Sequence, residues 1–254
     1  MDAIITGLLL SLLAGLSTTI GSAVVFFIKG FNKCNLAFSL AFSTGVMITL
    51  SFIELLPQGI ELLGYTTGLI MFFVGAALAF IIDYIVPHRY IMEKSKNNHD
   101  FNPKLFRVGL FVAIGLAIHN LPEGVAVFTG SLQSLQLGLI IAIAIAMHNI
   151  PEGISVAMPI YYATKNRNKA FYISFLSGIT EPIGAILAAL ILLPFLSAQI
   201  IGASLAVVAG IMVYICIDEL LPTAYQCSDK KSHNMTFAFL LGSILMGVTL
   251  ILLA

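Results

Sequence analysis

Residues 105–160 read LFRVGLFVAIGLAIHNLPEGVAVFTGSLQSLQLGLIIAIAIAMHNIPEGISVAMPI. Two long apolar runs, 105–128 and 136–160, flank a short polar link. Each run exceeds the roughly 20 residues that a helix needs to cross the hydrocarbon core of a bilayer. Backbone hydrogen bonds must close within a segment in lipid, so helices are the expected form. Each run also carries the same polar string at membrane depth: His119-Asn120-Leu121-Pro122-Glu123-Gly124, then His148-Asn149-Ile150-Pro151-Glu152-Gly153.

The same reading extends over the whole chain of 254 residues. Hydrophobic residues make up 59% and charged residues only 9%, against roughly 25% charged in soluble domains. Eight apolar spans are expected, at 3–28, 35–56, 66–86, 105–128, 136–160, 170–193, 197–221 and 235–254. The chain is thus expected to be an all-α polytopic membrane protein, a single integral-membrane domain. The first span follows Met1-Asp2-Ala3 with no basic leader and is too long for a signal core, so it reads as a span. Net charge is zero, which implies no basic face for nucleic acid. Cys34, Cys216 and Cys227 have no metal-site or redox spacing and read as free thiols.

All twelve Lys and Arg residues lie in or beside alternate connections. Lys29 and Lys33 follow span one; Arg89, Lys94, Lys96, Lys104 and Arg107 lie between or just beside spans three and four. Lys165, Arg167 and Lys169 follow span five, and Lys230 and Lys231 follow span seven. Positive charge collects in short cytoplasmic loops. Both termini are therefore expected outside.

The acids are distributed otherwise. Glu54, Asp83, Glu123, Glu152, Glu181, Asp218 and Glu219 lie within or at the end of a span, with no Lys or Arg expected deep enough to pair with them. An ionised group at the bilayer centre costs on the order of 2.5–3.5 kcal/mol on insertion scales. Protonation or a mobile cation must offset that cost, and both describe an ion pathway. Asp83, near a span end, is expected to reach interfacial water.

On a helix, positions i and i+4 share a face. His119 then stacks with Glu123, and His148 with Glu152. Asn120 and Asn149 lie about 100° around the axis, each three residues from its Glu, so one Glu can serve two adjacent sites. Pro122 and Pro151 free the carbonyls of Ile118 and Met147, which could face a polar cavity. The nitrogen and oxygen donors suit Zn(II), Fe(II), Mn(II), Co(II) or Cd(II), and do not favour Cu(I). Spans four and five run in opposite directions, so the two strings face each other as antiparallel copies, the arrangement of an inverted repeat around a midplane site. Glu54-Leu55-Leu56-Pro57 in span two and Glu219-Leu220-Leu221-Pro222 in span seven form a second, shorter pair. Glu181-Pro182 in span six supplies a third carboxylate, and Ser51, three residues before Glu54, a weak oxygen donor. Glu54, Asp218 and Glu219 read as gate, rim or relay residues. His88 and His99 read as solvated loop residues, and Met147 as a packing residue. A lone His or Asn in a membrane helix usually bonds to a neighbouring helix; two complete copies of the string call for more than that.

At these residues the chain resembles the ZIP (Zrt-, Irt-like) family of divalent metal transporters, in particular its bacterial branch. The resemblance covers nearly the whole chain. It implies helices arranged as three, two and three, with the outer triples inverted, and a two-metal centre between spans four, five and six. One site would use His119, Glu123, His148 and Glu152; the other Asn120, Glu123, Asn149, Glu152 and Glu181. It also implies uptake toward the cytoplasm by a sliding of spans one, four, five and six against the rest. Many members carry a His-rich loop between spans three and four, which here holds only His88 and His99. The expected function is import of divalent metal ions as substrate, without a cofactor, in the bacterial inner membrane. An intramembrane metal hydrolase is the alternative from another class, but the His-Glu-x-x-His string of such zinc enzymes does not occur. A metal-selective channel would share every ligand. The expected partners are divalent metal ions and the lipid bilayer. Small residues on several spans leave room for helix contacts, a homodimer among them.

Overall fold

The structure is a computed structural model that describes residues 3–28, 32–85, 101–192, 194–195, 197–228 and 233–253. Lys29, Arg89, Lys94, Lys96, Lys230, Lys231, His88 and His99 lie outside the described residues. Among the described residues there is no strand, and eight helices are long and apolar enough to cross a membrane. They are α1 (Ala3–Phe27), α2 (Lys33–Leu63), α3 (Tyr65–Ile85), α4 (Pro103–Gln133), α5 (Leu135–Thr164), α6 (Arg167–Ile191), α7 (Ala198–Cys227) and α8 (Asn234–Leu253). Large apolar side chains such as Phe73, Phe80, Leu240 and Ile244 cover the outside of the bundle, as expected where lipid is the solvent.

Helices α2 and α7 run past the expected ends at 56 and 221, through Pro57 and Pro222. Each contains one widened turn just before its proline. The Leu56 amide donates to Ser51 O, and the Leu221 amide to Cys216 O, an i→i+5 pattern. Pro57 and Pro222 then open the next α-helical stretch, where a missing N–H is tolerated. Helix α6 has its own break: the α geometry pauses at Ile179 and resumes at Thr180, one residue before Glu181.

Glycines let several helix pairs approach until backbone meets backbone. In each pair the contact is reciprocal, because a Cβ on either glycine would overlap a carbonyl of the other helix. Gly21 sits against Ile150 O and Gly153 against Thr18 O, joining α1 to α5. Gly124 sits against Glu181 O and Gly184 against Leu121 O, joining α4 to α6. Gly45 and Gly242 join α2 to α8 through Phe239 O and Phe42 O; Gly75 and Gly210 join α3 to α7 through Val207 O and Phe72 O. Small-residue contacts of this kind are how membrane helices gain packing energy without a hydrophobic drive. With α4 also packed along α5, the bundle divides into two sets: α1, α4, α5 and α6, and α2, α3, α7 and α8. Apolar side chains such as Met47, Phe111, Leu116, Met212 and Ile215 fill the core between them.

The chain ends of several helices meet at one end of the bundle. The Asn102 amide donates to Ala163 O at 3.0 Å, Arg167 Nη2 donates to Ile28 O at 2.7 Å, and Tyr162 Oη donates to Asn32 O at 3.0 Å. Lys33, Lys104, Lys165, Arg167 and Lys169 belong to these segments, so the described cations outside the core gather at that end.

One expectation about charge is corrected. A cation does reach two of the span acids, Asp83 and Glu219. Arg107, in the second turn of α4, donates to Asp83 of α3 and, at 3.0 Å, to Glu219 Oε1 of α7. The sequence hides this pair because its members lie on three helices.

Candidate metal centre

The two His-Asn-x-Pro-Glu-Gly strings meet in the middle of the α1–α4–α5–α6 set. Helices α4 and α5 pass through Pro122 and Pro151 without ending. His119, Asn120, Glu123, His148, Asn149, Glu152 and Glu181 are all buried.

On the histidine side, His148 Nε2 lies 2.8 Å from Glu123 Oε1. His119 Nε2 lies 2.9 Å from Glu123 Oε1 and 3.4 Å from Glu152 Oε1, in neither case at hydrogen-bonding angles. The rings are 6.2 Å apart between centroids. One ligand atom each from His119, His148 and Glu152 can be chosen so that all lie within 4.8 Å of one another. Glu123 thus reaches His119 along α4 and His148 across the α4–α5 interface.

On the asparagine side, both amides are oriented by backbone carbonyls. Asn149 Nδ2 donates to Ala14 O of α1 at 3.0 Å and to Glu181 Oε2 at 2.7 Å. Asn120 Nδ2 donates to Ser177 O of α6 at 3.1 Å. The break at Ile179 supplies that acceptor, and Thr180 Oγ1 donates to the same carbonyl at 2.6 Å. Because acceptors fix each amide nitrogen, each Oδ1 faces the other way. Asn120 Oδ1, Asn149 Oδ1, Glu123 Oε2, both oxygens of Glu152 and Glu181 Oε1 have no hydrogen-bond partner among the described residues. Buried polar atoms in native proteins are nearly always satisfied. Six unsatisfied oxygens together, beside two imidazoles, form a donor set suited to a borderline divalent cation.

A cavity of about 370 Å³ leads away from this cluster. His119, Glu123 and His148 line its floor, and Glu54, Gln58, Ala126 and Leu253 line the way out, toward the C-terminal half of α4. Gln58 Nε2 donates to Glu54 Oε1 within this passage. Glu54 therefore belongs to the approach, whereas Asp83, Asp218 and Glu219 gather at the other end of the bundle.

Ser51 stands apart from the cluster, and several neighbours of the cluster carry no signal in the sequence. Ser51 Oγ donates back to Met47 O at 2.8 Å and lies 3.8 Å from Met212 Sδ, so it is turned away from the cluster. Unforeseen are Ala14 O of α1 and Ser43 of α2, whose Oγ donates to Pro151 O at 2.7 Å. The small residues Gly15, Gly21 and Gly178 are the one sequence signal that could have placed α1 against the site. Met147 is partly exposed on the outside of the bundle.

Known proteins resemble the chain along its whole length. The family model described as "ZIP Zinc transporter" matches residues 101–250. The chain is 48% identical to the zinc transporter ZupT of Chlorobium phaeovibrioides, over all of both chains. It is 45% identical to that of Oceanobacillus iheyensis, again over all of both, and 44% identical to that of Streptococcus mutans over 97% of each. A family-model match over more than half the chain and relatives this similar along their full length place it: the chain is a multi-pass membrane protein that belongs to the ZIP family, a family of metal transporters and not of enzymes.

Proposed function

We propose that the protein imports divalent metal ions, Zn(II) first among them, across the bacterial inner membrane through a two-metal centre. One metal position uses His119, Glu123, His148 and Glu152. The other uses Asn120, Glu123, Asn149, Glu152 and Glu181, with Glu123 and Glu152 shared. The carrying observation is the group of unpartnered oxygens on Asn120, Asn149, Glu123, Glu152 and Glu181, held in an apolar core. A desolvated divalent cation offsets that cost, and the ligand dipoles are already aimed. Zinc is put first because the relatives are named zinc transporters; Fe(II), Mn(II), Co(II) and Cd(II) fit the same donors.

Direction follows from charge. With the described cations at one end of the bundle and that end cytoplasmic, both termini lie outside, and the Glu54–Gln58 passage opens outward. Four of the reciprocal glycine contacts support an inverted repeat. Exchanging α1 with α6, α2 with α7, α3 with α8 and α4 with α5 maps each glycine pair onto another, and the widened turn of α2 onto that of α7. Movement of α1, α4, α5 and α6 as one body against the others would carry the centre from one side to the other.

Zinc uptake into proteoliposomes containing wild type, Glu152→Ala and His148→Ala tests the reading. Loss of most saturable uptake is expected in both variants. Wild-type uptake in both would overturn it.

A further inference from the structure

Arg107 is a cation inside a membrane helix, and the metal centre makes no use of it. Its Nη2 donates to Glu219 Oε1 of α7 at 3.0 Å and to Asp83 of α3. Ligand oxygens of Asp83, Asp218 and Glu219 lie within 4.8 Å of one another, so one guanidinium faces three carboxylates. The Arg107 and Asp83 side chains are about one-fifth exposed and Glu219 less. Parting such a pair leaves charges partly stripped of water and without partners, which is costly.

Its position gives this pair a use. Arg107 lies twelve residues before His119 on the same helix, or about 18 Å along the axis. The passage from the centre runs in the opposite direction, past Ala126, Glu54 and Gln58. The bundle is thus open on one side of the centre and tied on the other. The tie also joins the two helix sets: Arg107 is on α4, Asp83 on α3 and Glu219 on α7, and α3 and α7 are themselves locked by Gly75 and Gly210. Nearby, Lys104 Nζ donates to Gln226 Oε1 of α7 at 2.7 Å, a neutral contact that holds no carboxylate.

We propose that Arg107 is an ionic latch between the two helix sets, and that the set carrying the metal centre moves only when Arg107 parts from Asp83 and Glu219. The proposal rests on the transport reading above, and it assigns Arg107 the task of holding the outward-open arrangement at rest. Without the latch, that arrangement is less populated. The apparent affinity for outside metal falls by the same fraction.

Cys216 gives a readout independent of transport. It is fully buried on α7, two residues before Asp218. In a Cys34→Ser/Cys227→Ser background it is the sole thiol, and in lipid nanodiscs a polar thiol reagent reaches both faces. Arg107→Gln is expected to speed labelling of Cys216 at least tenfold and to raise KM for zinc uptake several-fold. Arg107→Lys should restore most of the slow labelling, and Lys104→Gln should stay within twofold of the parent. Labelling at the parental rate in Arg107→Gln overturns the latch, as does equal acceleration in Lys104→Gln. Should Arg107→Gln fail to fold, the swap Arg107→Glu/Glu219→Arg takes its place; slow labelling there supports the latch, and fast labelling in a folded swap overturns it. Zinc uptake by the parental single-cysteine chain, and its loss in Glu152→Ala, checks the transport reading separately.

Discussion

Asn149 tests the proposed centre, because the proposal gives its two ends different tasks, one in the fold and one at the metal. Its Nδ2 donates to Ala14 O at 3.0 Å and to Glu181 Oε2 at 2.7 Å, tying α5 to α1 and α6. Its Oδ1 is unpartnered. Asn149→Leu keeps the branching of the side chain and its number of heavy atoms and removes both polar ends. Interhelical hydrogen bonds in membranes average about 0.6 kcal/mol and reach about 1.7. Two lost bonds therefore destabilise the metal-free protein by about 1–2 kcal/mol. The metal loses more. Asn149 Oδ1 is gone, and Glu181 loses the donor that orients it. Loss of an orienting partner alone typically weakens metal binding about 10–100-fold, which is about 1.4–2.7 kcal/mol, before the missing ligand is counted. Zinc affinity of the purified protein should fall at least tenfold, while the unfolding midpoint without metal shifts only slightly. KM for uptake should rise by a similar factor. Unchanged zinc affinity in a folded Asn149→Leu protein would refute the assignment of Asn149 as a ligand. A large stability loss with affinity intact would make it a structural tie only.

Glu54→Gln, in the approach passage, should raise KM for uptake about threefold to tenfold, on the order of 1 kcal/mol of lost attraction, and leave equilibrium zinc affinity of the centre nearly unchanged; an equal loss in both would place Glu54 in the centre itself. Gly153→Leu must push α1 from α5, because the atoms met by a new Cβ are Thr18 and Ser22 backbone. Overpacking costs about 1–3 kcal/mol, and uptake and zinc binding should both be lost, as read by uptake and by calorimetry on the purified protein.

Most of the helices were legible because hydropathy is a local signal, and a run of apolar residues in lipid has few alternatives to a helix. The ends of α2 and α7 were not. A proline reads as a stop, but the widened turns at Ser51–Leu55 and Cys216–Leu220 let each helix continue past it. The same widening begins at Ser51. The expectation that residues three apart share a face holds for regular α geometry. Ser51 opens the widened turn, and its hydroxyl bonds to Met47 O while Glu54 lines the passage. The His119–Glu123 neighbourhood was legible, because i, i+4 spacing lies within one helix. Contributions from α1 were not, since Ala14 O is a carbonyl and no side-chain pattern marks it. The partners of Arg107 escaped for a related reason: which carboxylates it meets depends on how α3, α4 and α7 assemble.

The proposed inverted repeat also says where symmetry must fail for a metal site to work. Under the exchange of α1 with α6 and α4 with α5, Asn149 donating to Ala14 O corresponds to Asn120 donating to Ser177 O. Gly153 against Thr18 O corresponds to Gly124 against Glu181 O. The backbone scaffold is therefore duplicated, and Thr18 stands at the place of Glu181. One side offers a carboxylate and the other a hydroxyl, Thr18 Oγ1, which is buried without a hydrogen-bond partner among the described residues. A second carboxylate there would add an anion to a cluster that already holds Glu123, Glu152 and Glu181. Each further buried charge without a counter-ion raises the cost of the metal-free state. In the proposed repeat the paired helices are duplicated, and the departure at Thr18 keeps the number of carboxylates at three.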